Sequence, residues 1–117
     1  MSYDVSLYKV PLKLKKQHFI DDELFEIAYG NDNEKHLLEY TNFSIGNPNA
    51  VVFAKVFDIV LTNNEYFKIY KISHYHEALN RVESMSLDND LEERIKSFLN
   101  VIVHELNNGE ILFFCCG

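Results

Sequence analysis

The chain has 117 residues, with 18 acidic and 11 basic side chains and a formal net charge of −7. That length makes one domain, and a hydrophobic fraction of 47% gives it enough apolar side chain to build a core without help from a metal or a disulfide. Such an acidic surface repels phosphate backbones and anionic lipid heads, so neither nucleic acid nor a membrane is an expected partner, and a basic protein surface or a cation is the better match.

The first element is a strand over residues 3–10. Tyr3, Val5 and Leu7 alternate with Asp4, Ser6 and Tyr8, the period of a half-buried strand, and Pro11 ends it or marks an edge. Lys13, Lys15 and Lys16 follow, and they run into Asp21, Asp22, Glu23 and Glu26. Leu24, Phe25, Ile27 and Ala28 lie among those acids and predict a short helix, capped by Asp21 or Asp22 and closed at Gly30. Glu34 to Tyr40 reads as a second short helix, started by Asn31 to Asn33, with Leu37, Leu38 and Tyr40 on its apolar side.

Asn47-Pro48-Asn49 opens the next helix, since proline suits the first helical turn. Phe53, Val56, Phe57 and Val60 repeat at helical spacing and predict a buried helix over about 48–62, although the β-branched content of Val51–Val60 leaves a strand open. After a break at Thr62-Asn63-Asn64, Tyr66 to Ile72 predicts a strand. Ser73 then caps a helix from about His74 to Met85, with Tyr75, Leu79 and Val82 buried. In the last helix Leu91, Ile95, Phe98, Ile102 and Leu106 keep strict helical period. Asn89 with Glu92, or Asp90 with Glu93, gives it a capping box, and Asn107-Asn108-Gly109 ends it. Ile111 to Cys115 is wholly apolar and predicts a central strand.

This order gives an α+β fold in a single globular domain, 1–117: a small sheet of about three or more strands packed against several helices, expected in a single layer. Whether the strands run parallel or antiparallel stays open.

The only cysteines, Cys115 and Cys116, are adjacent. Neighbouring Cα atoms lie ~3.8 Å apart, closer than an ordinary disulfide spans. Closing an apolar strand, the pair reads as small buried hydrophobes in a reducing, cytoplasmic setting rather than as a reactive couple. Met1-Ser2-Tyr3-Asp4 has no basic or apolar signal region, and no run approaches the ~20 apolar residues of a membrane helix.

No Walker loop, dinucleotide fingerprint, nucleophile elbow, C-x-x-C or H-E-x-x-H occurs. His74-x-His76 with Glu77 is the nearest approach to a metal motif. On the predicted helix the two imidazoles point apart, and Glu77 pairs with Arg81 instead. His104 lies among Glu93, Ser97 and Asn100 on a polar helical face. Asp88-Asn89-Asp90 lacks the glycine and the closing glutamate of a calcium loop. No metal site and no cofactor are expected.

The acidic segments carry more. Asp21, Asp22, Glu23 and Glu26 form one cluster, and Asp88, Asp90, Glu92 and Glu93 another; both complement a helix N-terminus. That role leaves a surplus, because residues 21–39 hold seven acids (at 21, 22, 23, 26, 32, 34 and 39) against one lysine.

In whole-chain character the protein resembles the small acidic immunity proteins of bacterial toxin–immunity systems, such as contact-dependent growth inhibition. The features behind the resemblance are the short strand at Tyr3–Val10, the acidic surface segments and the lack of any enzyme motif. It is not carried by a motif, so no functional residue transfers by matching. It implies a stoichiometric inhibitor rather than an enzyme, whose cognate toxin is a nuclease domain with a basic cleft. Carboxylates would occupy that cleft and aromatic side chains beside them would anchor the complex. On that reading Asp21, Asp22, Glu23 and Glu26 bind, with Tyr29 or Tyr40 as anchor, and the Asp88–Glu93 cluster is the second choice. The competing readings are a metal-binding or small hydrolytic enzyme using His74, His76 or His104, and a structural or phage accessory protein.

Overall fold

A computed structural model describes residues 2–11, 21–31, 33–62 and 66–117, and of Asp21 the backbone alone. The basic stretch Lys13–Lys16 and the break at Asn63-Asn64 lie outside the described residues.

Four strands form one antiparallel sheet: β1 (Ser2–Lys9), β2 (Leu37–Ser44), β3 (Tyr66–Tyr70) and β4 (Leu112–Cys116), in the spatial order β2-β1-β4-β3. The helices are α1 (Asp21–Tyr29), α2 (Pro48–Phe57), α3 (Ile72–Glu83) and α4 (Asn89–Asn107). The fold is α+β, and β4 is central, with every residue buried. The apolar run from Leu112 puts Leu112, Phe114 and Cys116 on one face of the sheet and Phe113 and Cys115 on the other.

The first face carries the main core. Val5 and Leu7 of β1 and Phe114 of β4 meet Phe53 and Phe57 of α2, Ala78 of α3, and Leu91, Ile95, Phe98 and Ile102 of α4. Its centre is aromatic: Phe53 meets Phe98 edge-on at 5.1 Å, and Phe114 lies 5.1 Å from Tyr70 and 5.5 Å from Phe57. Each such pair adds ~0.5–1.5 kcal/mol to simple burial. Three helices make the expected single layer here. The fourth departs from it: α1 lies against the other face, where Leu24, Ile27 and Ala28 pack with Tyr8, Val10, Phe113 and Cys115. β1 is accordingly covered on both sides toward its end, at Leu7 and Tyr8, while Asp4 and Ser6 stay only partly buried.

The second helix expected over Glu34–Tyr40 is corrected. Asn33–Lys35 makes one 3-10 turn, and the chain then enters β2. Tyr40, Thr41 and Phe43 are strand formers, and the register sets Tyr3 against Phe43, Val5 against Thr41 and Leu7 against Glu39. The register shifts between Leu7 and Tyr8, which pairs with Leu37, so Leu38 is an extra residue that turns into the main core. That bulge sets two leucines side by side and erases the two-residue period.

Other boundaries move by a few residues for local reasons. α2 starts as expected, with the Asn47 side chain accepting from the Asn49 N–H at 2.9 Å, but it stops at Phe57 rather than 62. Asp58 takes a left-handed conformation (φ 54°) that aspartate tolerates. Two cations close that end: Lys68 Nζ donates to the Asp58 carbonyl at 3.0 Å and carboxylate at 2.7 Å, and Arg81 Nη1 donates to Val56 O at 2.9 Å. α3 begins at Ile72, and the residue that secures its start is His74 rather than Ser73, since His74 Nδ1 accepts from the Lys71 N–H at 3.0 Å. α4 is capped by Asp88 instead of Asn89 or Asp90, through the Leu91 N–H at 2.8 Å.

Candidate functional site

α1 presents two sides. Leu24, Ile27 and Ala28 are buried, while Asp22, Phe25, Glu26 and Tyr29 are exposed at the spacing i, i+3, i+4, i+7. The result is a solvent-facing stripe of two carboxylates and two rings. Phe25 is 44% and Tyr29 49% exposed, with ring centroids 4.8 Å apart. The Asp21 carboxylate lies outside the described residues, and Glu23 is only partly buried.

Beside this stripe α1 stops short of the β1–β2 half of the sheet and leaves a cleft of about 610 Å³. Asp4, Ser6, Tyr8 and Cys115 line it from the sheet, Phe25, Ala28 and Tyr29 from α1, and Tyr40 from β2. The two tyrosines expected as alternative anchors thus share one cleft, and Tyr40 is also 49% exposed. No lysine, arginine or histidine is among its described lining residues.

Hydrogen bonds fix the cleft. Asp4 Oδ1 accepts from the Tyr40 hydroxyl and from Asn42 Nδ2, both at 2.6 Å. Tyr29 Oη and Cys115 Sγ share a hydrogen bond at 3.2 Å. Tyr8 Oη and Asn33 Nδ2 both donate to the Ala28 carbonyl, at 3.3 and 3.2 Å, and so close the C-terminal end of α1. Burial holds the Tyr29 hydroxyl above its ordinary range, helped by the bond to Cys115; the hydrogen bond to Asp4 does the same for Tyr40. Burial also raises both thiols, Cys116 to about 12, and both are free and buried. The cleft's tyrosines and thiol are thereby kept neutral, as donors and stacking surfaces rather than nucleophiles.

The second acidic cluster is largely occupied by its own helix. Asp88 is the cap of α4, Asp90 pairs with Arg94 at 3.1 Å and Glu92 with Lys96 at 2.8 Å. Glu93 faces a smaller hollow of about 210 Å³ that Tyr40 borders from the other side. Arg94 ties α4 to β2: it donates to Thr41 Oγ1 at 3.0 Å and to the Asn42 carbonyl, and its guanidinium lies 4.6 Å from the centre of the Phe43 ring.

His74 spends its Nδ1 on the Lys71 N–H, and burial with nearby Lys68 lowers its pKa. Glu77 pairs with Arg81 at 3.6 Å, and His104 Nε2 meets Asn108 Nδ2 at 3.3 Å. Among the described residues, no three of His, Cys, Asp and Glu converge as a metal ion requires, and no helix is long and apolar enough to cross a membrane.

Sequence reasoning missed Asp4, Ser6, Tyr8 and Phe25 as site residues. The alternation of β1 puts the first three on one face, but the residues opposite Asp4 and Ser6, Asn42 and Tyr40, belong to β2, whose first half, up to Tyr40, has the sequence pattern of a helix. No protein-family profile, curated protein or solved structure matches this chain.

Proposed function

We propose that this protein is a stoichiometric, cytoplasmic inhibitor of the immunity type. It would neutralise a cognate bacterial toxin domain, a nuclease with a basic active-site cleft, by occupying that cleft. The observation that carries this reading is the stripe Asp22, Phe25, Glu26 and Tyr29, set beside a cleft rimmed by Tyr40. Exposed rings with carboxylates between them are the elements of a binding hot spot for a basic surface. The rings supply affinity, and the acids, with a net charge of −7 behind them, speed encounter. A neutral thiol and neutral phenols in the cleft fit a binding role better than a catalytic one.

The test is to purify the protein together with the product of the adjacent upstream gene. The expected result is a one-to-one complex whose affinity falls as salt rises, and falls at least ~10-fold in the double variant D22K/E26K. Absence of a complex, or binding indifferent both to salt and to that charge reversal, overturns the reading.

A further inference from the structure

We infer that the cleft between α1 and the β1–β2 half of the sheet is a receptor for an arginine side chain presented by a protein partner. Three features point to a cation. Asp4 puts a carboxylate into the cleft, and its Oδ1 is held by two short hydrogen bonds from Tyr40 and Asn42, so the group is oriented before any ligand arrives. No basic residue among the described lining residues answers that charge. The walls are aromatic, with Tyr8, Phe25, Tyr29 and Tyr40 all bordering the space, and ring faces attract cations.

The aromatic walls favour guanidinium over ammonium. A guanidinium is planar and stacks on rings while its edge donates several N–H groups, whereas an ammonium is a compact, strongly hydrated point charge. The apolar surface of Phe25 and Ala28 at the α1 side suits the methylene stem of a long side chain. The volume, about 610 Å³, lies within the ~300–1,000 Å³ range of ligand clefts, so the side chain enters with part of its flanking backbone. Asp22 and Glu26 outside the cleft extend the attraction to a basic segment around the arginine.

This inference rests on the immunity reading only for the identity of the partner. The probe is acetyl-arginine N-methylamide, titrated against isotope-labelled protein with backbone amide shifts as readout. Acetyl-citrulline N-methylamide, which keeps the shape and removes the charge, is the control. The arginine probe should shift Asp4, Tyr29, Tyr40 and Gly117 saturably, with a dissociation constant on the order of 1–10 mM, and bind at least ~10-fold more tightly than the citrulline probe. Asp4→Asn should abolish that preference. If Asp4→Asn does not fold, Tyr40→Leu, at an exposed position, should weaken the arginine probe at least ~3-fold.

Equal binding of the two probes, shifts mapping elsewhere, or no saturation overturns the proposal, and so does an unchanged preference in the variant. A toxin complex that forms undiminished with Asp4→Asn would sink the arginine receptor and leave the immunity reading standing. An arginine probe that saturates the cleft when no toxin complex forms does the reverse.

Discussion

On one face of the sheet three helices close over Val5, Leu7, Phe114 and Cys116; on the other, among the described residues, α1 is the one helix over Phe113 and Cys115, and Asp4 and Ser6 border a cleft. Neighbouring residues of one strand therefore serve different ends. On the filled face the sheet's side chains are spent on the core, and the aromatic cluster there holds the sheet in shape. The half-covered face keeps polar groups fixed but unburied, the condition for a preorganised binding surface.

Phe114 and Phe113 test this contrast with the same chemistry at adjacent positions. Phe114→Ala should cost ~4–5 kcal/mol, because Phe57, Tyr70 and Phe98 surround it in a closed core that cannot collapse into the hole. Phe113→Ala, against Tyr8 and Phe67, should cost ~3 kcal/mol, since α1 can settle toward the gap. Urea denaturation measures both; equal losses would mean that the two faces are packed alike.

Leu24→Ala should have a smaller effect, ~2 kcal/mol, at the low end for a buried leucine, because Leu24 sits in a layer only one helix thick. It should also shift Cys115 and Tyr29 in an NMR spectrum while leaving Phe53 and Phe98 in place. Perturbation spreading to those two would show the faces to be coupled.

The smallest effect concerns pH and the filled face. His74 has its pKa lowered from 6.5 by burial and nearby Lys68, and its Nδ1 must stay unprotonated to accept from Lys71. The unfolded chain then takes up this proton first as pH falls. The contribution is complete above 6.5 and is lost as pH drops from there through the lower folded value. His74→Asn, whose amide oxygen can replace Nδ1, should flatten the difference in urea midpoint between about pH 7.5 and pH 5. A slope as steep as that of the unaltered protein would remove His74 from the account.

What the sequence shows and hides follows from where its constraints act. α4 and β4 were legible because each obeys one rule throughout: helical period from Leu91 to Leu106, and unbroken apolarity from Ile111. β2 was hidden because its evidence is non-local. The bulge at Leu38 breaks the local period, and only pairing with β1 identifies the segment as a strand. At the start of α4 three consecutive residues can cap, and Asp88 is the one whose side chain accepts from the helix, at the Leu91 N–H. The site divides the same way. Tyr29 and Tyr40 stood out as aromatics in acidic surroundings. Asp4 did not, since its partners lie 36 and 38 residues away. Asp90 and Glu92 pair with Arg94 and Lys96 one turn on, exposed ion pairs that the i, i+4 spacing makes readable from the sequence.

The tie between Arg94 and β2 bears on how another chain can approach. β2 is an outermost strand of eight residues, the kind of edge that invites addition of a foreign strand. Asp4 exchanges both backbone bonds with Gly117, so the amide and carbonyl of Asn42 opposite it turn outward. Arg94 takes that carbonyl, and two residues earlier the Glu39 carboxylate takes the Tyr40 N–H at 3.1 Å. The middle of the edge is sealed by the protein's own side chains. Sheet extension into a second molecule along this edge is discouraged there.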